Sequence, residues 1–195
     1  MQLRRVRQRA IPTLTLVLMC AACDRAPEQA DAPAPAPPAA ADPTSAGAVL
    51  RNAAGDSVGW ARLTQATTGS VEVEVELGTT SPGDHGVHFH EAGTCDGGGE
   101  TPFGSAGGHH NPAGRKHGLE NPEGPHNGDL PNLTTDSTGR GMLRASTDRV
   151  TLAAGPASLF DGDGSALVVH AGADDQKTDP SGNSGSRVAC GVIRR

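Results

Sequence analysis

Beyond residue 9 this chain has no block of basic side chains, and that absence removes nucleic acid from its partners. No apolar run is long enough to cross a bilayer. The longest, residues 11–22, falls well short of the roughly 20 residues a spanning helix requires. No stretch carries the 3.6-residue periodicity of a long amphipathic helix, which argues against a helical bundle. Aromatics are nearly missing too, with three Phe, one Trp and no Tyr, and cysteine occurs only four times.

The chain begins with Arg4, Arg5, Arg7 and Arg9 ahead of that short apolar run, the pattern of a signal peptide over residues 1–22 and hence of export. Cys20, Ala21, Ala22 and Cys23 follow one another as in a bacterial lipoprotein processing site, in which Cys23 becomes the lipid-bearing N-terminus. Ordinary cleavage near Ala22 without a lipid is the other reading. The expected location is the bacterial periplasm or cell envelope, with the membrane touched only through that lipid. Loss of the leader leaves 12 basic against 22 acidic residues, a net charge of −10. A small anionic substrate would therefore need a locally positive site on a negative body.

Residues 23–46 hold a spacer rich in proline and alanine, with too few large apolar groups to offset ordering entropy. Extended at about 3.1 Å per residue it would reach roughly 70 Å. A tail with no role in distance is the alternative. The mature chain then retains Cys95 and Cys190, which in an oxidising compartment read as one disulfide, with two separate buried thiols as the other reading.

Residues 47–195 fit one domain. Strands are expected at 48–52, 58–64, 71–77, 86–90, 130–136, 141–147, 166–170 and 188–193. The clearest is 71–77, VEVEVEL, which alternates apolar and acidic residues as a strand with one wet face does. Asn52 and Gly55 lie where a hairpin would join the first two. Eight short strands, few aromatics and two long loops, 91–129 and 171–187, point to an all-β, eight-stranded antiparallel Greek-key sandwich or flattened barrel.

A loop of nearly forty residues needs an internal organiser. The segment DHGVHFHE offers one half of it. In an extended strand His88 and His90 share a face about 7 Å apart while Phe89 points to the core. His109, His117, His126, Asp129 and His170 complete a set of imidazoles and one carboxylate, which suits copper and zinc better than magnesium or calcium.

HGVHFHE at 85–91, GHHNP at 108–112, RKHG at 115–118, HNGDLPNLT at 126–134, LVVHAGADD at 167–175 and GNSGSRVACGVI at 182–193 together resemble the signature segments of the copper-zinc superoxide dismutase family. The resemblance implies copper held by His88, His90, His109 and His170. It implies zinc held by His109, His117, His126 and Asp129, with His109 bridging the two. It further implies Asp174 as a carboxylate supporting His88 and His117, and His85 as an orienting partner behind the copper strand. Arg187 would guide the anion, whereas Lys177 and Thr178 match the channel rim only loosely. His110, where the family usually has a bulky apolar ring, is expected to pack or face solvent. The implied activity is dismutation of superoxide to oxygen and hydrogen peroxide, with His109 and Arg187 as its working residues. A non-catalytic copper/zinc-binding envelope lipoprotein is the rival reading. The motifs leave open whether the chain works alone or as a homodimer.

Overall fold

The computed structural model describes residues 44–195. The expected leader, Cys23 and spacer up to residue 43 lie outside the described residues. Nine strands run in chain order: β1 (Ser45–Arg51), β2 (Ser57–Gln65), β3 (Val71–Leu77), β4 (Gly83–His85), β5 (Val87–His90), β6 (Leu133–Thr135), β7 (Gly141–Thr147), β8 (Ala166–His170) and β9 (Arg187–Val192). The only helix among the described residues is a short 3-10 turn, Gly104–Ala106.

All ladders are antiparallel, and the strands lie in the order β4-β6-β7-β3-β2-β1-β9-β8-β5. The two ends of that order, β4 and β5, are consecutive in sequence, so a single run of chain closes the sheet into a flattened barrel. This run is also where nine strands replace the expected eight. It pairs with β6 through His85 and with β8 from Val87 onward, and the switch falls at Gly86. There the backbone bonds across to Gly172 and His170. A Cβ at Gly86 would stand 2.9 Å from that of Ser184, so only glycine admits the crossing.

Other boundaries move as well, most of all those of β1 and β6. β1 starts at Ser45, ahead of the expected domain start at 47, because Ala46 and Ala48 continue the inward alternation that ends in Leu50. β6 covers only three residues of the expected 130–136: Pro131 has no N–H to give a ladder, and the Asn132 side chain is committed elsewhere. The hairpin at 52–56 forms as expected, with the Asn52 carbonyl accepting from Gly55 N–H and its side chain accepting from Asp56 N–H.

Inside the barrel, Val71, Val73, Val75 and Leu77 of β3 meet Leu50, Leu63, Leu133, Leu167, Val169 and Phe89. Outside, Glu74 sits between Arg62 at 3.3 Å and Arg144 at 3.1 Å, a solvated row that adds little stability. β8 is buried on both sides. Its Ala166 and Val168 face a second cluster with Phe103 and Ala106, contributed by the loop that follows β5, and Cys190 of β9. Among the described residues Phe89 is the one fully buried aromatic of the main core, and in sequence it lies between two histidines of the site. Phe89→Ala is expected to cost about 3–5 kcal/mol in denaturant unfolding of the metal-free, disulfide-intact protein.

Candidate metal centre

β5 presents His88 and His90 to the same side, ring centroids 6.4 Å apart, with Phe89 fully buried on the other. The loop after β5 does not wander. Gly128 O accepts from Phe89 N–H and Phe89 O accepts from His110 N–H, so the loop is laid along the free side of β5 and brings His109 and Asp129 to it. His170 arrives as the last residue of β8. Donor atoms of His88, His90, His109 and His170 lie within 4.8 Å of one another, and all four residues are buried.

The hydrogen bonds fix which nitrogen of each ring faces inward. His90 Nδ1 and His170 Nδ1 are 3.0 and 3.1 Å from the carbonyls of Gly107 and Gly185, which can only accept, so those nitrogens carry the hydrogens. His88 Nε2 is 2.7 Å from Asp174 Oδ2. What remains is His88 Nδ1, His90 Nε2, His109 Nε2 and His170 Nε2. These are four of the seven buried side-chain atoms that lack a hydrogen-bond partner among the described residues. Four buried lone pairs aimed at one point suit a metal ion and little else. Burial keeps the rings neutral and ready to bind: His88 is pushed down to about 3, His170 to about 4, and His90 and His109 also lie below the usual imidazole range.

The second set sits on the far side of His109. Asp129 Oδ1 is 2.9 Å from His109 Nδ1, 3.1 Å from His117 Nδ1 and 3.5 Å from His126 Nδ1. His109 Nδ1 and His126 Nδ1 are 3.3 Å apart. Zinc bonds of about 2.0–2.1 Å in a tetrahedron place donor atoms about 3.3 Å apart, so these spacings match the edges of such a site. His88 also lies near this group, but its Nε2 is spent on Asp174 and its Nδ1 belongs to the first set. Asp129 Oδ2 accepts from the N–H groups of Gly118 and His126. Burial alone would raise this carboxyl, but the three histidines and the Gly118 amide hold it far below the carboxylate range. Burial likewise opposes charge on His117, yet Asp129 and Asp174 outweigh it and lift the ring to about 9. A metal on His117 must therefore displace a proton.

Asp174 links the two sets, with Oδ2 on His88 and Oδ1 3.0 Å from His117 Nε2. Its support escaped sequence reasoning. Asn132 clamps the Asp174 backbone from both sides at 2.8 Å, and a Cβ on Gly182 would fall 1.8 Å from Asp174 Oδ1. His85 lies between the carbonyls of Ser81 and His170 and so holds the His170 backbone, not a ring. His110 packs, only 3% exposed. Arg187 donates to the carbonyls of Phe103 and Gly107, each at 2.6 Å, and no carboxylate pairs with it among the described residues. Lys177 is paired with Glu120, so its charge is offset by a carboxylate as that of Arg187 is not, and the amide of Thr178 donates to Asp175. Cys95 and Cys190 form a disulfide, with Cα atoms 5.7 Å apart, and it belongs to the Phe103 cluster, with Cys190 buried in it and Cys95 packed against it.

A closed antiparallel barrel carrying two adjacent donor sets that share one imidazole defines a binuclear metalloprotein of the copper and zinc type. The family model described as copper/zinc superoxide dismutase matches residues 57–193, and the chain belongs to that family. It is 46% identical over 145 residues to superoxide dismutase [Cu-Zn] 1 of Aquifex aeolicus (strain VF5), covering 73% of this chain and 83% of that one. Identity to the superoxide dismutase [Cu-Zn] of Caulobacter vibrioides is 44% over 153 residues, or 77% and 86% of the two chains. The solved Cu/Zn superoxide dismutase from Brucella abortus superposes with a TM-score of 0.62 at 30% identity, covering 77% of this chain and 99% of that one.

Proposed function

We propose that this protein is a superoxide dismutase, converting two superoxide anions and two protons to oxygen and hydrogen peroxide. The observation that carries the proposal is the convergence of four orphaned imidazole nitrogens beside a set of three imidazole nitrogens and one carboxylate, with His109 common to both. His88, His90, His109 and His170 would hold copper, and His109, His117, His126 and Asp129 zinc. Copper supplies the one-electron chemistry when bound, and zinc a closed structural site.

The chain's own residues do the rest. Arg187, unpaired by any carboxylate among the described residues, offers the positive charge that draws an anion to an otherwise negative protein. Its two carbonyl acceptors fix the guanidinium, and one of them, Gly107 O, also fixes His90. His109 Nε2 is the atom that can take a proton on the copper side while Nδ1 stays on the zinc side. Asp174 keeps His88 and His117 in register. On the strength of the leader-like sequence and the disulfide, we place the protein in the cell envelope, tethered through Cys23.

The deciding experiment measures metal content by mass spectrometry and superoxide consumption with and without chelator, on protein made in an oxidising compartment. Turnover that tracks copper supports the reading. Copper and zinc binding without turnover would instead leave a metal-buffering envelope protein. Arg187→Glu is expected to lower kcat/KM by about one to two orders of magnitude at low ionic strength and to flatten its salt dependence. Enzymes of this class are among the reference cases for that steering range. A variant as fast as the parent at low salt would remove Arg187 from anion capture.

A further inference from the structure

Among the buried atoms of the described residues without a partner, three belong to neither metal set, Nε2 of His110, Oγ of Ser165 and Nε of Arg149, and only the last is part of a cation. Arg149 follows β7 closely, and its amide donates to Thr147 Oγ1 at 3.2 Å. Its Nη2 donates to the main-chain carbonyl of Asp129 at 2.7 Å. Its own carbonyl accepts from Asn127 Nδ2 at 2.6 Å, while Asn127 Oδ1 accepts from Ala113 N–H at 3.2 Å. One residue thus grips the 126–129 turn at two points, and the ends of that turn are His126 and Asp129.

The guanidinium is half-buried and in no ion pair among the described residues. Burial lowers its affinity for the proton, countered only by the fields of Asp148 and Asp129. A cation desolvated to this extent and spent on a single carbonyl has no evident role in general stability that an apolar side chain would not fill better. Apart from the bond of its amide to Thr147, its hydrogen bonds lead to the turn that carries two of the four donors.

We propose that Arg149 is a positioning residue for the zinc-side set. By fixing the backbone of the turn, it keeps Asp129 Oδ1 and His126 Nδ1 facing His109 and His117. The inference rests on the assignment of those four residues to zinc. Its charge works the other way, since a guanidinium near a dication repels it, and the two effects predict opposite outcomes on removal.

The test uses the full disulfide-bonded protein and compares Arg149→Gln, too short to reach the Asp129 carbonyl, with Arg149→Lys, which keeps a donor near it. Zinc affinity is read by competition with a chromophoric chelator, zinc-site geometry by the visible absorption of bound Co(II), and copper affinity by separate titration. Arg149→Gln is expected to weaken zinc by about ten- to a hundredfold, the usual cost of removing a contact behind a ligand, and to reduce the tetrahedral cobalt bands. Copper affinity should hold, and Arg149→Lys should recover most of the zinc binding. Unchanged or tighter zinc in Arg149→Gln overturns the proposal, as does an equal loss at both metals, which would mean general loosening. If the parent protein itself takes up neither zinc nor cobalt at these residues, the zinc assignment fails and the role of Arg149 with it.

Discussion

His109→Ala is expected to abolish dismutation and to weaken both metals at once, because no other side chain contributes a nitrogen to each donor set. The copper side would keep His88, His90 and His170, and the zinc side would keep two imidazoles and Asp129. Activity should fall by more than about a hundredfold, beyond the range set by losing a supporting contact. Zinc affinity should fall with it, since the tetrahedron is left one donor short. Stopped-flow decay of superoxide, together with zinc and copper titrations, checks both halves. A variant that binds both metals at parental affinity and still dismutes would remove the shared ring from the chemistry. The expected pairing of losses separates this residue from His170, whose replacement should leave zinc in place.

Replacing both Cys95 and Cys190 by serine should destabilise the protein about as much as the largest single core truncation. The bridge joins residues 95 apart, so in the chain-entropy account its removal costs about 4–5 kcal/mol, an upper figure. Urea unfolding of the metal-free protein, parent against double variant, gives the number directly. The bridge also fastens the loop carrying Phe103 and Gly107 to β9, and those two residues hold Arg187. Capture of the anion should therefore weaken along with stability. A double variant of parental stability and activity would show that the Phe103 cluster alone fixes that loop.

The sequence displayed the donors and, through the resemblance, Asp174 behind them, but little else of what aims them. Side-chain identity and alternation carry their own signal, so β3, the paired histidines of β5 and the strand ending in His170 could be read directly. Backbone acceptors carry none. Nothing in the letters at 107 and 185 says that their carbonyls fix the tautomers of His90 and His170. Gly86 looked like an ordinary first residue of a strand, because the change of pairing partner depends on where Gly172 and Ser184 arrive in space. Ala46 was hidden in a spacer-like composition, since a small side chain fills a crowded barrel end as well as it fills a linker. Asn132 and Arg149 act through main-chain atoms of other residues, a role that leaves no spacing pattern behind.

The junction at Gly86 reaches beyond counting strands. Because the first and last members of the strand order are one continuous piece of chain, the barrel leaves little unpaired backbone for a neighbouring molecule to extend. Self-association by ladder growth, the common route from β-rich folds to fibres, is thereby disfavoured while the seam holds. A side chain forced in at position 86 would part that seam and expose two raw borders together, so aggregation should begin there sooner than activity loss alone would suggest.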